Sequence, residues 1–474
     1  MKKILLIFVA LLLVNCTNED YEALNKDPNN PTEVDAGQLF VAATIALFDQ
    51  IESTNVNDNV FRLFSQYWTE TTYTDEANYD LATRRVPGRH WNTLYRNVLF
   101  DLNDAKSKTD GDAFKNAQIE VLEVYTWQNL VDTFGDIPYS EALKGKKPDE
   151  IFQPKYDDAA GIYTDLLIRI DSAISTLSGS SGAGFGSSDL IYGNSRASWQ
   201  KFANSLKLKL GIRLADADAV AAKKAVEDAV SGGVFTSNSD NAILKYESNK
   251  PNTNPLWEDL VESGRNDFVP ANTLVDHLNT LGDPRRDVFF DPESKISGAY
   301  VGGTYGAQSA YGDHSHIGLA LLNPSFRGVL MDYAEVSFNL AEAAERFWSV
   351  GGTSEEHYNN GVTANFKDWG LTAVDATAYL AKAEVAYTTA AGTWKEKIGL
   401  QYWIAMYNRG SEGWYVYRKF DAPKLNIAAT AKIPVPKRFK YPIDEQSLNE
   451  ANWNSATNDG KEDIYSKPLF WDKK

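Results

Sequence analysis

The spacing of apolar residues over much of this 474-residue chain follows the period of an α-helix. Leu39, Phe40, Ala43, Leu47 and Ile51 all fall on one face of such a helix. The same spacing recurs at 162–177, 202–214, 336–347 and 358–369, whereas strand-like alternation is scarce. This pattern predicts a mainly α fold whose helices stack in pairs, similar to tetratricopeptide packing, although no clean 34-residue repeat is readable.

Residue types that start helices mark several of these stretches. Ser198 is predicted to cap one helix, and Thr353 with Glu356 forms the pattern of a capping box. A further helix is predicted from about Thr393 towards Asn408. The long stretch 232–330 is irregular, and loops of that length in a compact body are more often functional than idle. No linker divides the chain, so we expect one domain over 36–474.

The first sixteen residues resemble the export signal of a bacterial lipoprotein. Lys2 and Lys3 precede an apolar run that is too short to span a bilayer, and Cys16, the only cysteine, follows it. We therefore expect a signal peptide over 1–15 and lipidation at Cys16, followed by an acidic, Pro/Asn-rich tether over 16–35. The alternative is an ordinary secretory signal with an incidental cysteine.

The net charge of −17 restricts the partners of the chain. An acidic surface repels phosphate backbones, so nucleic acid is not an expected partner. The same argument disfavours polyanionic glycans. We expect a neutral ligand.

Motifs for catalysis or metal binding are incomplete. Ser198–Lys201 and Ser239–Asn241 match two of the three motifs of penicillin-binding enzymes, but the third, on a strand, is missing. His314 and His316 stand close together, yet a metal site needs three or four converging ligands. We therefore predict no catalytic residues, no metal and no cofactor.

Two aromatic clusters lie outside the helical pattern, among polar and glycine residues. A flat ring beside amide, carboxyl and imidazole groups suits a sugar, because the ring covers the C–H face while the polar groups bind hydroxyls. The alternative is that the rings pack onto the scaffold. The predicted ligand-binding residues are Trp68, Tyr73, Tyr79, Tyr300, Tyr305, Tyr311, Gln308, Asp313 and His314.

Seven segments, in order along nearly the whole chain, resemble the SusD/RagB-like outer-membrane lipoproteins of Bacteroidota. The first, Asn25–Thr32, matches the Asn-x-Asp-Pro-Asn-Asn-Pro-Thr element that opens one subgroup. The other six segments are Phe134–Glu141, Trp199–Leu206, Asp283–Arg285, Glu335–Ala343, Glu412–Phe420 and Ile433–Phe439.

The resemblance implies a helical body with about four tetratricopeptide-like helix pairs and long ligand-binding loops. It implies a lipid-anchored protein at the outer face of the outer membrane, which captures an oligosaccharide and delivers it to a SusC-like TonB-dependent transporter. It transfers no binding residue, because the matching segments belong to the scaffold. Peptide uptake, as in the RagB-like branch, is the alternative function, and a secreted hydrolase is a third.

Overall fold

The computed structural model describes residues 34–146 and 148–473, so the predicted signal peptide, Cys16 and the Asn25–Thr32 element lie outside the described residues. The described part is mainly helical, as predicted. Its helices of seven or more residues are Ala36–Glu52 (α1), Val86–Asn92 (α2), Phe100–Ser107 (α3), Ala113–Phe134 (α4), Ala159–Leu177 (α5), Arg196–Leu214 (α6), Ala219–Gly232 (α7), Asn272–Thr280 (α8), Tyr333–Glu345 (α9), Ser354–Asp368 (α10), Ala373–Leu380 (α11), Trp394–Ala405 (α12), Gly410–Phe420 (α13) and Glu450–Thr457 (α14). A π-helical segment, Thr93–Leu99, joins α2 to α3.

Strands are short and pair only in twos within the described ranges. They are Trp68–Glu70 (β1), Ile137–Pro138 (β2), Tyr156–Asp157 (β3), Ala242–Leu244 (β4), Phe268–Pro270 (β5) and Gly328–Met331 (β6). All three pairings, β1 with β5, β2 with β3 and β4 with β6, are antiparallel. These two-stranded ladders connect segments between the helices and do not form a sheet core.

The described residues contain four pairs of packed helices, and the two helices of each pair are neighbours in sequence. The pairs are α4–α5, α6–α7, α9–α10 and α12–α13. Successive pairs pack on one another through α5 with α6, α6 with α9, and α9 with α12. This arrangement confirms the predicted tetratricopeptide-like scaffold. Every helix within the described ranges is too short or too polar to cross a bilayer.

Buried ion pairs connect all four helix pairs. Glu412 of α13 contacts Lys209 at 2.6 Å and Arg213 at 2.7 Å, both on α6. Arg213 also contacts Asp132 of α4 at 3.1 Å, and Lys209 contacts Glu335 of α9 at 3.0 Å. Because these side chains are almost fully buried, each charge depends on its partners for solvation.

The helix starts agree only in part with the sequence predictions. The predicted cap at Ser198 is wrong, because α6 begins at Arg196 and the Ser195 hydroxyl accepts the Ser198 N–H at 3.3 Å. Ser198 already has helical backbone and lies in the first turn. The capping box of α10 is confirmed: Glu356 N–H donates to Thr353 Oγ1, and Thr353 N–H donates to Glu356 Oε2 at 2.7 Å.

We expect Thr353→Ala to lower the free energy of unfolding by about 1 kcal/mol, because it leaves one N–H of the first turn without an acceptor. Urea denaturation measures the change. Asn360→Ala, at an exposed position on the same helix, serves as the control and should not lower stability. Equal stability of wild type and Thr353→Ala would contradict a contribution from the cap.

Candidate ligand-binding site

The structure brings the two predicted aromatic segments together. The Ser309 N–H donates to the Thr71 carbonyl at 3.2 Å, and Gln308 Nε2 donates to the Thr72 carbonyl at 3.0 Å. From the other side, Asn78 Nδ2 donates to the Gly306 carbonyl at 2.9 Å. Residues 69–79 and 304–310, far apart in the sequence, therefore form one surface.

Four of the six predicted stacking rings are buried, so their assignment to a sugar-binding surface is wrong. Trp68, Tyr79, Tyr300 and Tyr305 each retain 4% or less of their maximal exposure. Trp68 lies in β1, where its Nε1–H donates to the Tyr407 hydroxyl at 3.0 Å. A ring with no exposed face cannot stack on a ligand.

The other three rings pack between the loops and the helical body. The ring centroids of Tyr79 and Tyr305 are 6.4 Å apart, and Tyr79 packs edge-on against Phe64. Burial raises the pKa of Tyr79 to about 12. The Tyr300 hydroxyl donates to Asp287 at 2.7 Å, while its ring packs on Phe290. The alternative considered from the sequence, that these rings hold the loops to the scaffold, is what the structure shows.

Tyr73 and Tyr311 remain accessible. Tyr73 is 66% exposed. It follows Thr72, whose carbonyl accepts the hydrogen bond from Gln308. The half-buried Tyr311 ring stacks on His316, with centroids 3.8 Å apart and planes inclined by 13°, so one ring supports the other. Gln308 and Asp313 are exposed. Tyr311 and Asp313 follow Gln308 closely in sequence, and Gln308 contacts the Tyr73 segment; we call Tyr73, Gln308, Tyr311 and Asp313 the ring platform.

His314 is half-buried, and its imidazole is already engaged. Its Nδ1–H donates to the Ala310 carbonyl at 2.8 Å, while His316 Nε2–H donates to the Tyr311 carbonyl at 3.1 Å. Both imidazoles thus brace the turn that carries Tyr311. Among the described residues, no group of three or more His, Cys, Asp or Glu side chains could hold a metal ion.

A third segment, 424–432, joins this surface and was missed in the sequence. The Ala429 N–H donates to the Tyr305 carbonyl at 3.0 Å, and the Thr430 N–H donates to Asn78 Oδ1 at 3.2 Å. Asn426 and Ile427 are exposed beside these contacts. The segment shows neither helical nor strand period and is poor in aromatics, so no sequence signal marked it.

A polar cavity of about 410 Å³ opens near the ring platform. Its lining includes Asn55, Asp58, Asn97 and Asp259, and the adjacent Val56 lines a small pocket with Tyr73. Asn55 Nδ2 donates to Asp259 Oδ1 at 3.2 Å, which fixes both groups. Sequence reasoning missed this cavity, although the run Asn55-Val56-Asn57-Asp58-Asn59 was a readable sign of a polar loop.

Two carboxyl groups in the polar cavity have raised pKa values. Burial, and next the charges of Glu258 and Glu52, raise the pKa of Asp49 to about 6, against a hydrogen bond from Tyr246. Burial also raises the pKa of Asp259 to about 6, with Asp58 adding to the effect. Near neutral pH this cavity presents carboxylate and amide oxygens, which are acceptors for hydroxyl groups.

The serine and lysine of the incomplete enzyme motifs have structural partners. Lys201 Nζ contacts Asp240 at 2.8 Å, and the Ser198 and Ser195 hydroxyls are 2.8 Å apart. Lys201 therefore forms an ion pair between α6 and the turn at Asp240, which is a structural role and not that of a base for Ser198.

The comparisons with known proteins identify the family. The profile of a SusD-like family described as "Starch-binding associating with outer membrane" matches residues 28–442. The chain belongs to the SusD-like family. A comparison with curated protein sequences finds no match.

Three solved structures match the fold over more than nine tenths of this chain. A chitin-binding protein is 26% identical with a TM-score of 0.79, covering 93% of this chain and 100% of its own. A chitin-binding SusD homologue from Flavobacterium johnsoniae is 25% identical with a TM-score of 0.77, covering 92% and 98%. A SusD homologue from Bacteroides uniformis is 25% identical with a TM-score of 0.79, covering 93% and 100%. The SusD-like assignment made from the scaffold segments is thus confirmed.

Proposed function

We propose that this protein is a cell-surface receptor that binds a neutral oligosaccharide on the ring platform and in the polar cavity. The observation that carries the proposal is the exposed ring of Tyr73 beside the exposed Gln308, whose amide donates to the Thr72 carbonyl. An aromatic face covers the apolar side of a pyranose at small entropy cost, since Tyr has few rotatable bonds.

The polar groups on the same side of the molecule suit hydroxyl-rich ligands. Asn55, Asp58, Asn97 and Asp259 offer both donors and acceptors around a cavity of about 410 Å³. A cavity of this size is within the usual range for small ligands. The carboxylates there, and the acidic chain as a whole, favour a neutral glycan over a polyanionic one.

The relatives support carbohydrate as the ligand class. The family is described as starch-binding, and two structural relatives are described as chitin-binding. The repeat units of starch and chitin, glucose and N-acetylglucosamine, carry no charge, in agreement with the charge argument. The protein acts by binding, without catalysis, in this proposal.

The proposal also includes a location and a partner. Residues 1–15 would direct export, Cys16 would carry lipid, 16–35 would form the tether, and 36–474 would form the SusD-like domain. The receptor would then sit on the outer face of the outer membrane and pass its ligand to a SusC-like TonB-dependent transporter. The family description, which places such proteins at the outer membrane, supports this location.

We expect Tyr73→Ala and Tyr311→Ala each to weaken binding of a neutral glycan by about 1–2 kcal/mol, or roughly 5- to 30-fold in Kd, because each removes an accessible ring face. Calorimetric titration with maltoheptaose and chitohexaose measures the change. Phe347→Ala is the matched control, since this ring is 91% exposed but lies in the turn after α9.

Unchanged affinity in both Tyr variants would overturn the choice of residues and keep the function. Absence of binding to neutral glycans by the wild type, together with binding of a peptide mixture, would overturn the function in favour of peptide uptake. Release of reducing sugar from a bound glycan would show a hydrolase instead.

A further inference from the structure

A groove lined by aromatic rings lies beside the continuous helix formed by α2, the π-helical segment and α3. It consists of two adjoining cavities of about 330 and 520 Å³, which share Ala142 and Leu143. Tyr95 and Arg96 of the π-helical segment line it, whereas Thr93 and Asn97 of the same segment line the polar cavity. We call the two cavities together the aromatic groove.

The rings of the aromatic groove form an unbroken series. Centroid distances are 4.7 Å from Trp91 to Tyr95, 5.4 Å from Tyr95 to Trp127, and 4.9 Å from Trp127 to Tyr139. The Tyr95 hydroxyl donates to the Pro138 carbonyl at 2.6 Å, which fixes the orientation of its ring. Trp91 and Trp127 are buried and support Tyr95 and Tyr139, which are half-buried and offer the accessible ring surface. Rings held in this way lose little conformational freedom when a ligand covers them.

The rest of the lining carries charges of both signs. Lys106 and Arg169 are paired with Glu123, and Arg169 also donates to the Tyr139 hydroxyl at 2.9 Å. Asp165 accepts a hydrogen bond from the same hydroxyl. Because these charges are already paired, this part of the wall favours a neutral ligand with many hydroxyl groups over an ionic one.

The backbone around the groove is irregular in two ways. The π-helical segment Thr93–Leu99 interrupts an otherwise α-helical run, and such segments are frequent at functional sites. In the loop that borders the groove, Leu143 and Glu150 have φ angles of 64° and 51°, in the left-handed region that non-glycine residues rarely adopt. Strain of this kind persists where the surrounding structure requires a particular backbone path.

We propose that the aromatic groove is a second carbohydrate-binding site, which takes a neutral oligosaccharide independently of the ring platform. The ligand class rests on the function proposed above. The groove adds a site on the opposite face of the 93–99 segment, so that two short oligosaccharides are held at once. Its combined volume fits a short oligosaccharide.

Ala142→Trp tests the groove without removing a packed ring, because it fills space that both cavities share. Ala378→Trp, at an exposed position on α11, is the matched control. The full chain in detergent is titrated calorimetrically with maltoheptaose and chitohexaose. The wild type and the control Ala378→Trp should each bind two equivalents of glycan. Ala142→Trp should bind only one, because its groove is filled. The double variant Tyr73→Ala/Tyr311→Ala should also bind one, because its ring platform is lost. Combining Ala142→Trp with the Tyr double variant should abolish binding.

The outcomes of this titration separate the failure of this inference from the failure of the proposed function. One equivalent in the wild type that disappears in the Tyr double variant and is unchanged in Ala142→Trp would overturn the groove and keep the receptor. A wild type that binds neither glycan would overturn both. One equivalent that disappears in Ala142→Trp alone would support the groove and overturn the ring platform.

Discussion

Glu412→Gln should lower the free energy of unfolding by about 3–5 kcal/mol, the usual cost of removing one partner from a buried ion pair. The change leaves Lys209 and Arg213 short of a counter-charge, in a position where water cannot replace it. Both cations contact Glu412 within 2.7 Å, and all three side chains are almost fully buried. Because this carboxylate lies where the helix pairs meet, the loss should affect the whole domain.

The same variant should change how stability depends on pH. Burial alone would raise the pKa of Glu412, but Lys209, Arg213 and Arg409 lower it to about 2. A carboxyl whose pKa is lower in the folded state stabilises the fold above its unfolded value, near 4.5, and loses that contribution as pH falls towards 2. The difference between wild type and Glu412→Gln should therefore shrink between pH 4.5 and 2.

Urea denaturation of both proteins at pH 7.5 measures the main effect, and a series down to pH 3 measures its pH dependence. Glu462→Gln is the matched control, because Glu462 pairs with Lys467 at 2.6 Å on the surface. Its denaturation midpoint should equal that of the wild type, since exposed ion pairs contribute little. Equal midpoints for Glu412→Gln and Glu462→Gln would show that the buried network does not hold the helix pairs together.

The scaffold could be predicted from the sequence because its signals are local and repeated. The stripe at 162–177 became α5, and the Thr353 capping box starts α10. The helix predicted from Thr393 towards Asn408 is α12, which ends at Ala405, and α13 follows it. The predicted cap at Ser198 is three residues too late. Both Ser195 and Ser198 have the side chain of an N-cap residue, and only the backbone conformation shows that Ser195 is the cap.

The loops could not be predicted in the same way, because burial there depends on contacts distant in sequence. Tyr305 lies in a glycine-rich segment that looks exposed, yet its backbone contacts Ala429 and its ring packs near Tyr79. Lack of helical period does not by itself indicate exposure, because an irregular segment that covers a core needs buried rings of its own. Tyr73 carries no local signal that separates it from Tyr79, six residues away, which is buried.

Two buried carboxyl groups lie directly beneath the segment that carries Tyr73. Glu70 Oε2 accepts the Ala77 N–H at 2.9 Å, and Glu76 Oε1 is paired with Arg84. Glu76 Oε2 is buried without a donor among the described residues, so a proton on Glu70 can supply the missing hydrogen bond. Burial, and next the contact with Glu76, raise the pKa of Glu70 to about 9. Glu70 is therefore neutral in the folded protein near pH 7.

Glu70→Gln should stabilise the protein at neutral and alkaline pH. A carboxyl whose pKa is higher in the folded state stabilises the fold fully below its unfolded value, near 4.5, and that contribution is lost as pH rises towards 9. Glutamine keeps the shape, the acceptor and a donor for Glu76, but it cannot ionise in the unfolded chain. The free energy of unfolding of the variant should equal that of the wild type at pH 4.5. It should exceed the wild-type value by roughly 3–4 kcal/mol at pH 7.5, because the difference grows by about 1.4 kcal/mol for each pH unit.

Urea denaturation at half-unit steps from pH 4.5 to 9 tests this, with the exposed Glu293→Gln as the matched control, whose stability should follow the wild type throughout. A constant difference between Glu70→Gln and wild type would show that the two carboxyl groups do not share a proton. Lower stability of the variant at every pH would show that Glu70 is ionised when folded. Because the pair supports the Tyr73 segment, glycan affinity in Glu70→Gln should stay constant up to pH 9, whereas affinity of the wild type should fall as Glu70 loses its proton.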